Sequence, residues 1–158
     1  MTYFLLKYLH VIGASVLLGT GAGIAFFMLL AHRTGSAATV AAVARIVVIA
    51  DLVFTATAVV VQPVTGIALA WHMGWSLWEG WIALSIVLYF VTGAFWLPVV
   101  LMQMRMRDLV AEAAATGGEL PPLYHRLFRF WFAFGFPAFG AVLAIFWLMI
   151  AKPQLGWP

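Results

Sequence analysis

Residues 11–31 read VIGASVLLGTGAGIAFFMLLA, and no formal charge interrupts them. A helix needs about 20 apolar residues to cross a bilayer. The run is too long for the apolar core of a signal peptide, which spans roughly 7–15 residues behind a basic start. The only upstream basic residue is Lys7, which lies inside the helical pattern. It therefore reads as a mature membrane helix. Three further stretches are of the same kind, so the spans are expected at about 3–31, 46–71, 81–104 and 130–151. Each is continuously apolar, whereas a transmembrane β-strand alternates. The expected fold is all-α, a four-helix transmembrane bundle in one domain covering residues 1–158.

Composition agrees. Of the 158 residues, 66% are hydrophobic and only 8% charged, against about 25% charged in a soluble domain. Too little polar surface exists to face water, so lipid is the expected outer solvent. The chain has no cysteine, which excludes disulfides, thiolate metal sites and cysteine nucleophiles together. The net charge of +3 is not a nucleic-acid signal, because the basic residues sit at helix ends. Four helices put both termini and the middle connection on one side. Lys7 and Lys152 fall there, and Arg33, Arg45, Arg105, Arg107, Arg126 and Arg129 fall on the other. The positive-inside rule then places loops one and three in the cytoplasm. The expected location is a bacterial inner membrane with both termini periplasmic. Trp71, Trp75, Trp78 and Trp81 would form an aromatic belt at the outer interface.

The connections are expected at 32–45, at the Trp-rich turn 72–80, and at 105–129, where residues 108–116 can prolong the third helix before Gly117-Gly118 and Pro121-Pro122. Within the second span, Asp51, Thr55, Gln62, Thr65 and His72 share one face, with Ala58 and Leu69 filling the alternating steps of four and three. In the third, Ser85, Tyr89, Thr92, Trp96, Gln103 and Arg107 do the same, with Val99 between. Residues so spaced stack on one side of a helix. Both stripes should turn inward, since polar groups facing lipid are costly. Such groups often serve only as glue between helices.

The first span contributes His10, with Gly13, Ala14, Leu17 and Gly21 on its face; these small residues would admit another helix or a flat ligand. Gly19 and Gly23 form a GxxxG pair compatible with a homodimer. In the fourth span Ala133, Pro137, Gly140 and Ala144 form a small-residue stripe expected to serve packing. At a rise of about 1.5 Å per residue, His10 lies about 10 Å inside the outer end of its helix. Thr65 and Tyr89 fall near that depth, with Gln62 one turn deeper, so His10, Gln62, Thr65 and Tyr89 are the candidate binding layer. A second layer would join Asp51 to Gln103, Arg105 or Arg107. His32, His72 and His125 fall at helix ends and read as interface residues. His10 lies within a span and needs a partner or a ligand. Neutral imidazole is a common axial ligand of haem iron, so His10 is the candidate haem ligand.

Several elements resemble the domain-of-unknown-function 2269 family of predicted bacterial integral membrane proteins. They are Tyr8-Leu9-His10-Val11-Ile12-Gly13, Ala31-His32-Arg33, Gln62-Pro63-Val64-Thr65-Gly66, Trp96-Leu97-Pro98 through Gln103-Met104-Arg105-Met106-Arg107, and Ala151-Lys152-Pro153. That family name implies no activity. More distantly, Leu9-His10 on a Gly-rich first helix is similar to the copper-resistance D-like group and, through it, to the haem-dependent protoporphyrinogen oxidase of HemJ type. This resemblance implies haem b on His10. The Lys and the Tyr-His pair that the oxidase type carries along helix three have no counterpart between Trp81 and Pro98. Three functions remain open: a haem-b protein in electron transfer or oxidation with a membrane redox partner, a small-molecule or metal-ion permease, or a non-catalytic membrane subunit. The seven methionines include Met102, Met104 and Met106, whose alternate spacing does not share a helix face; they read as apolar filling.

Overall fold

A computed structural model describes residues 1–156. Four helices run the length of the molecule: α1 (Thr2–Arg33), α2 (Ala37–Met73), α3 (Gly80–Ala115) and α4 (Pro122–Ala151). Each is long and apolar enough to cross a membrane, and the described residues contain no strand. The chain is an all-helical integral membrane protein.

The helices outrun the apolar stretches. α2 begins at Ala37 rather than near Ile46, because the Ser36 side chain accepts a bond from Thr39 N–H at 3.3 Å. That cap satisfies an otherwise free donor, and the Ala-rich run behind it favours helix. α3 continues to Ala115 through another Ala-rich run and stops before Gly117, whose φ is +65°. α4 starts at Pro122, a residue suited to the first helical turn. Hydropathy marks where lipid ends; the helices go on into the interfacial zone.

Two ends can be distinguished. The arginine end carries the α1–α2 and α3–α4 connections; the terminal end carries both termini and the α2–α3 turn. Two apolar clusters occupy them. At the arginine end, Met28, Val40, Ala44, Met106, Val110 and Tyr124 are among the buried residues. At the terminal end, Ala70, Trp81, Ile82 and Leu148 pack with Leu155. Leu155 passes so close to Gly80 that a Cβ there would lie 2.7 Å from its backbone oxygen. Lys152 sits with its Nζ 4.3 Å from the centre of the Trp75 ring.

The four helices associate as two pairs. α1 packs along the second half of α2, and α3 packs along α4. The pairs come together most closely at the arginine end, where the first half of α2 lies against α3. Between the two apolar clusters lie Asp51, Thr55, Gln62 and Thr65 of α2, all buried. The helix is not regular there: Asp51–Thr55 form a π turn. The expected role of the α4 small-residue stripe does not hold, since Ala133, Pro137 and Gly140 are exposed. α4 buries Tyr124, Phe128, Trp131, Ala141 and Leu148 instead. Gly19 is likewise exposed, with open space where a Cβ would be.

Candidate functional site

Three of the four residues expected in the outer polar layer meet. His10 Nδ1 and Thr65 Oγ1 are 2.9 Å apart, across the α1–α2 contact. The Thr65 hydroxyl lies 2.8 Å from the carbonyl oxygen of Val61. A hydroxyl has a single proton. With that proton on Val61, Thr65 accepts from His10, so Nδ1 carries the hydrogen and Nε2 a lone pair. Among the described residues no side chain bonds Nε2. Small residues make this approach possible. A Cβ on Gly66 would lie 3.2 Å from His10 Cε1, and one on Gly13 would lie 3.4 Å from Gln62 Cδ. The glycines of this contact therefore seat the imidazole and the Gln62 side chain. Gln62 is 8% exposed, and its Oε1 is buried with no hydrogen-bond partner among the described residues.

Tyr89 does not join them. Its hydroxyl donates to the carbonyl oxygen of Val59 at 2.6 Å. The cause lies in the sequence: residue 63 is proline, which has no N–H, so the Val59 carbonyl lacks its usual partner four residues on. Tyr89 replaces that donor from across the gap between the helix pairs. Spans tolerate proline where a neighbouring group satisfies the freed carbonyl in this way.

The second layer differs from the expectation. Asp51 Oδ1 accepts from Trp96 Nε1 at 3.4 Å, and not from Gln103, Arg105 or Arg107. Gln103, 1% exposed, accepts from Trp131 Nε1 at 3.0 Å. Arg107 pairs with its neighbour Asp108 at 2.8 Å. Geometry explains the change. Trp96 and Gln103 are two helical turns apart, about 10 Å, so one carboxyl cannot serve both, and Arg107 turns its guanidinium toward the helix end. Trp131 was not foreseen as a partner; its place on α4 at the depth of Gln103 was the only available signal. At the arginine end His32 stacks on Phe128, with ring centres 3.8 Å apart, and its Nδ1 lies 3.2 Å from the Tyr124 hydroxyl. It fastens α1 to α4 instead of facing the interface freely. His72 stays exposed and stacks against Tyr3.

No group of three or more His, Asp or Glu side chains placed to hold a metal ion occurs among the described residues. A groove of about 570 Å³ between α2 and α3 at the arginine end is lined by Arg45, Arg107 and Asp108 among others; neither His10 nor Asp51 lines it. No curated protein and no solved structure shows significant similarity to the chain. A family model described as a predicted integral membrane protein, DUF2269, matches residues 4–153. With nearly the whole chain matched, and four apolar helices to match it, the protein belongs to the DUF2269 family of predicted integral membrane proteins.

Proposed function

We propose that the protein binds haem b through His10 and serves electron transfer or oxidation in the membrane. The observation that carries this reading is the contact between His10 Nδ1 and Thr65 Oγ1 at 2.9 Å. Histidines that ligate metals commonly hold their other ring nitrogen in such a bond, which fixes tautomer and orientation. Here it would leave Nε2 as the atom available to a metal. The donor set would offer the iron the single imidazole of His10, since no group of three or more His, Asp or Glu side chains placed to hold a metal occurs among the described residues. The orphaned Gln62 Oε1 is a buried acceptor beside the site and suits a donor on a bound group or on water. Bound haem would supply one-electron redox chemistry. His10 would hold the iron, Thr65 would orient His10, Gln62 would offer its acceptor, and Tyr89 would keep α3 at its distance from α2. In this reading the arginine end faces the cytoplasm of a bacterial inner membrane, and a membrane redox partner exchanges the electron.

An absorption spectrum tests this. Full-length protein from haem-replete cells should show a Soret band that survives washing and vanishes in His10→Ala. Thr65→Val should keep the band but weaken haem affinity by about 10–100-fold. A colourless wild-type protein that also takes up no added haemin in detergent overturns the proposal. The second reading, a non-catalytic membrane subunit, rests on the polar groups that satisfy one another within the chain, as Gln103 does with Trp131. It predicts that colourless result. The permease reading draws no comparable support from the groove at the arginine end.

A further inference from the structure

Asp51 is the only formally charged residue between Arg45 and the end of α2. It is 5% exposed, at the start of the π turn. Counting from Arg45, it lies about 9 Å along the apolar run. A carboxylate at such a place requires a compensating positive charge, because the bilayer interior solvates ions poorly. Among the described residues no cation pairs with it. α1 has no titratable residue between His10 and His32, α4 has none between Arg129 and Lys152, and α3 has only Tyr89 before Arg105. The ion pair found among the described residues, Arg107 with Asp108, leaves Asp51 out. What faces the carboxyl is the Trp96 indole N–H, which is neutral. Thr55 stands beside it at the other end of the same turn. The Thr55 hydroxyl oxygen is buried and makes no well-formed hydrogen bond among the described residues.

We propose that the π turn of α2 is a binding site for one exchangeable positive charge, a proton or a small monovalent cation, held on Asp51. The parts fit that task. Asp51 supplies the charge, Thr55 a buried hydroxyl beside the carboxyl, and Trp96 a donor to one carboxyl oxygen. π turns inside α-helices occur frequently at functional sites. The site is separate from His10: Asp51 and Gln62 stand eleven residues apart on α2, about 16 Å. It is independent of haem binding, and its test does not require haem.

A hydrophobic carbodiimide tests it, since such a reagent adds across its N=C=N group to a protonated carboxyl buried in the membrane and forms a stable acylurea without a leaving group. Purified full-length protein should be labelled at Asp51, mapped by peptide mass, with labelling that declines as pH rises. Asp51→Asn should lose that label while keeping any on Glu79, Asp108, Glu112 and Glu119. Protection by sodium chloride relative to choline chloride would assign the site to a small cation; equal labelling in both would assign it to the proton. Asp51→Asn should also melt no lower than wild type in detergent, because asparagine needs no counter-charge and still accepts from Trp96. Absence of any label on the Asp51 peptide across the pH range overturns the proposal. So does a marked loss of stability in Asp51→Asn, which would reveal a fixed cationic partner.

Discussion

Two glutamines are buried in this bundle, and they are not equivalent. Gln103, at the arginine end, has its carbonyl bonded by Trp131 in the interface between α3 and α4. Gln62, in the terminal-end half, has a buried carbonyl with no partner among the described residues. The first is glue: it joins two helices and is satisfied in doing so. The second bears the cost of burial without the return, roughly 1–3 kcal/mol for an unmade bond. The same division runs through their surroundings. Around Gln103 lie apolar and aromatic side chains at high packing, including His32 stacked on Phe128. Around Gln62 lie an oriented imidazole and a freed carbonyl. One half of the molecule is built to hold, the other to receive.

Substitutions can break or sharpen that contrast, read as unfolding free energy in mixed detergent–SDS micelles. Trp131→Phe should have the largest effect, a loss of about 1–3 kcal/mol, since it strands the Gln103 carbonyl in an apolar interface. Tyr89→Phe should cost less, about 0.6 kcal/mol, the average worth of a hydrogen bond inside a membrane protein. In a Pro63→Ala background residue 63 regains its N–H and can serve the Val59 carbonyl itself, so there Tyr89→Phe should cost almost nothing. Full additivity of the two changes would show that Tyr89 does not act through the proline-freed carbonyl. Smallest of all should be Gln62→Leu, near zero or slightly stabilising, because it removes an unsatisfied group. A loss as large as that of Trp131→Phe would mean that Gln62 is structural after all, and the contrast would collapse.

The four spans were legible because lipid imposes a simple rule: residues 11–31 carry no charge, and the other runs are nearly as clean. The inward face of α2 was legible too, since Asp51, Thr55, Gln62 and Thr65 recur at helical spacing and all are buried. Helix ends were less so, because an Ala-rich segment such as 37–45 is as helical in the interface as in the membrane while its hydropathy falls. Partners were the least legible. Depth estimates brought His10 to Thr65, but whether Trp96 or Gln103 reaches Asp51 depends on the approach of two helix pairs, which spacing does not encode. The Tyr89 bond was half visible. Pro63 announces that the Val59 carbonyl needs a donor, though not that the donor comes from α3.

The π turn also sets the phase of α2. A single surplus residue in one turn rotates everything beyond it by about 100° relative to a regular α-helix. Gln62 and Thr65 lie beyond it, and Val40, Ala44 and Val47, which seat the arginine end, lie before it. The turn at 51–55 thus acts as a clutch between two faces of one helix, letting the packed half and the receptive half each address its own neighbour. Engaging that clutch differently, by relaxing the π turn to an α turn, would swing Thr65 away from His10 and turn Ala70 out of the terminal-end cluster with it, while the arginine end kept its seat.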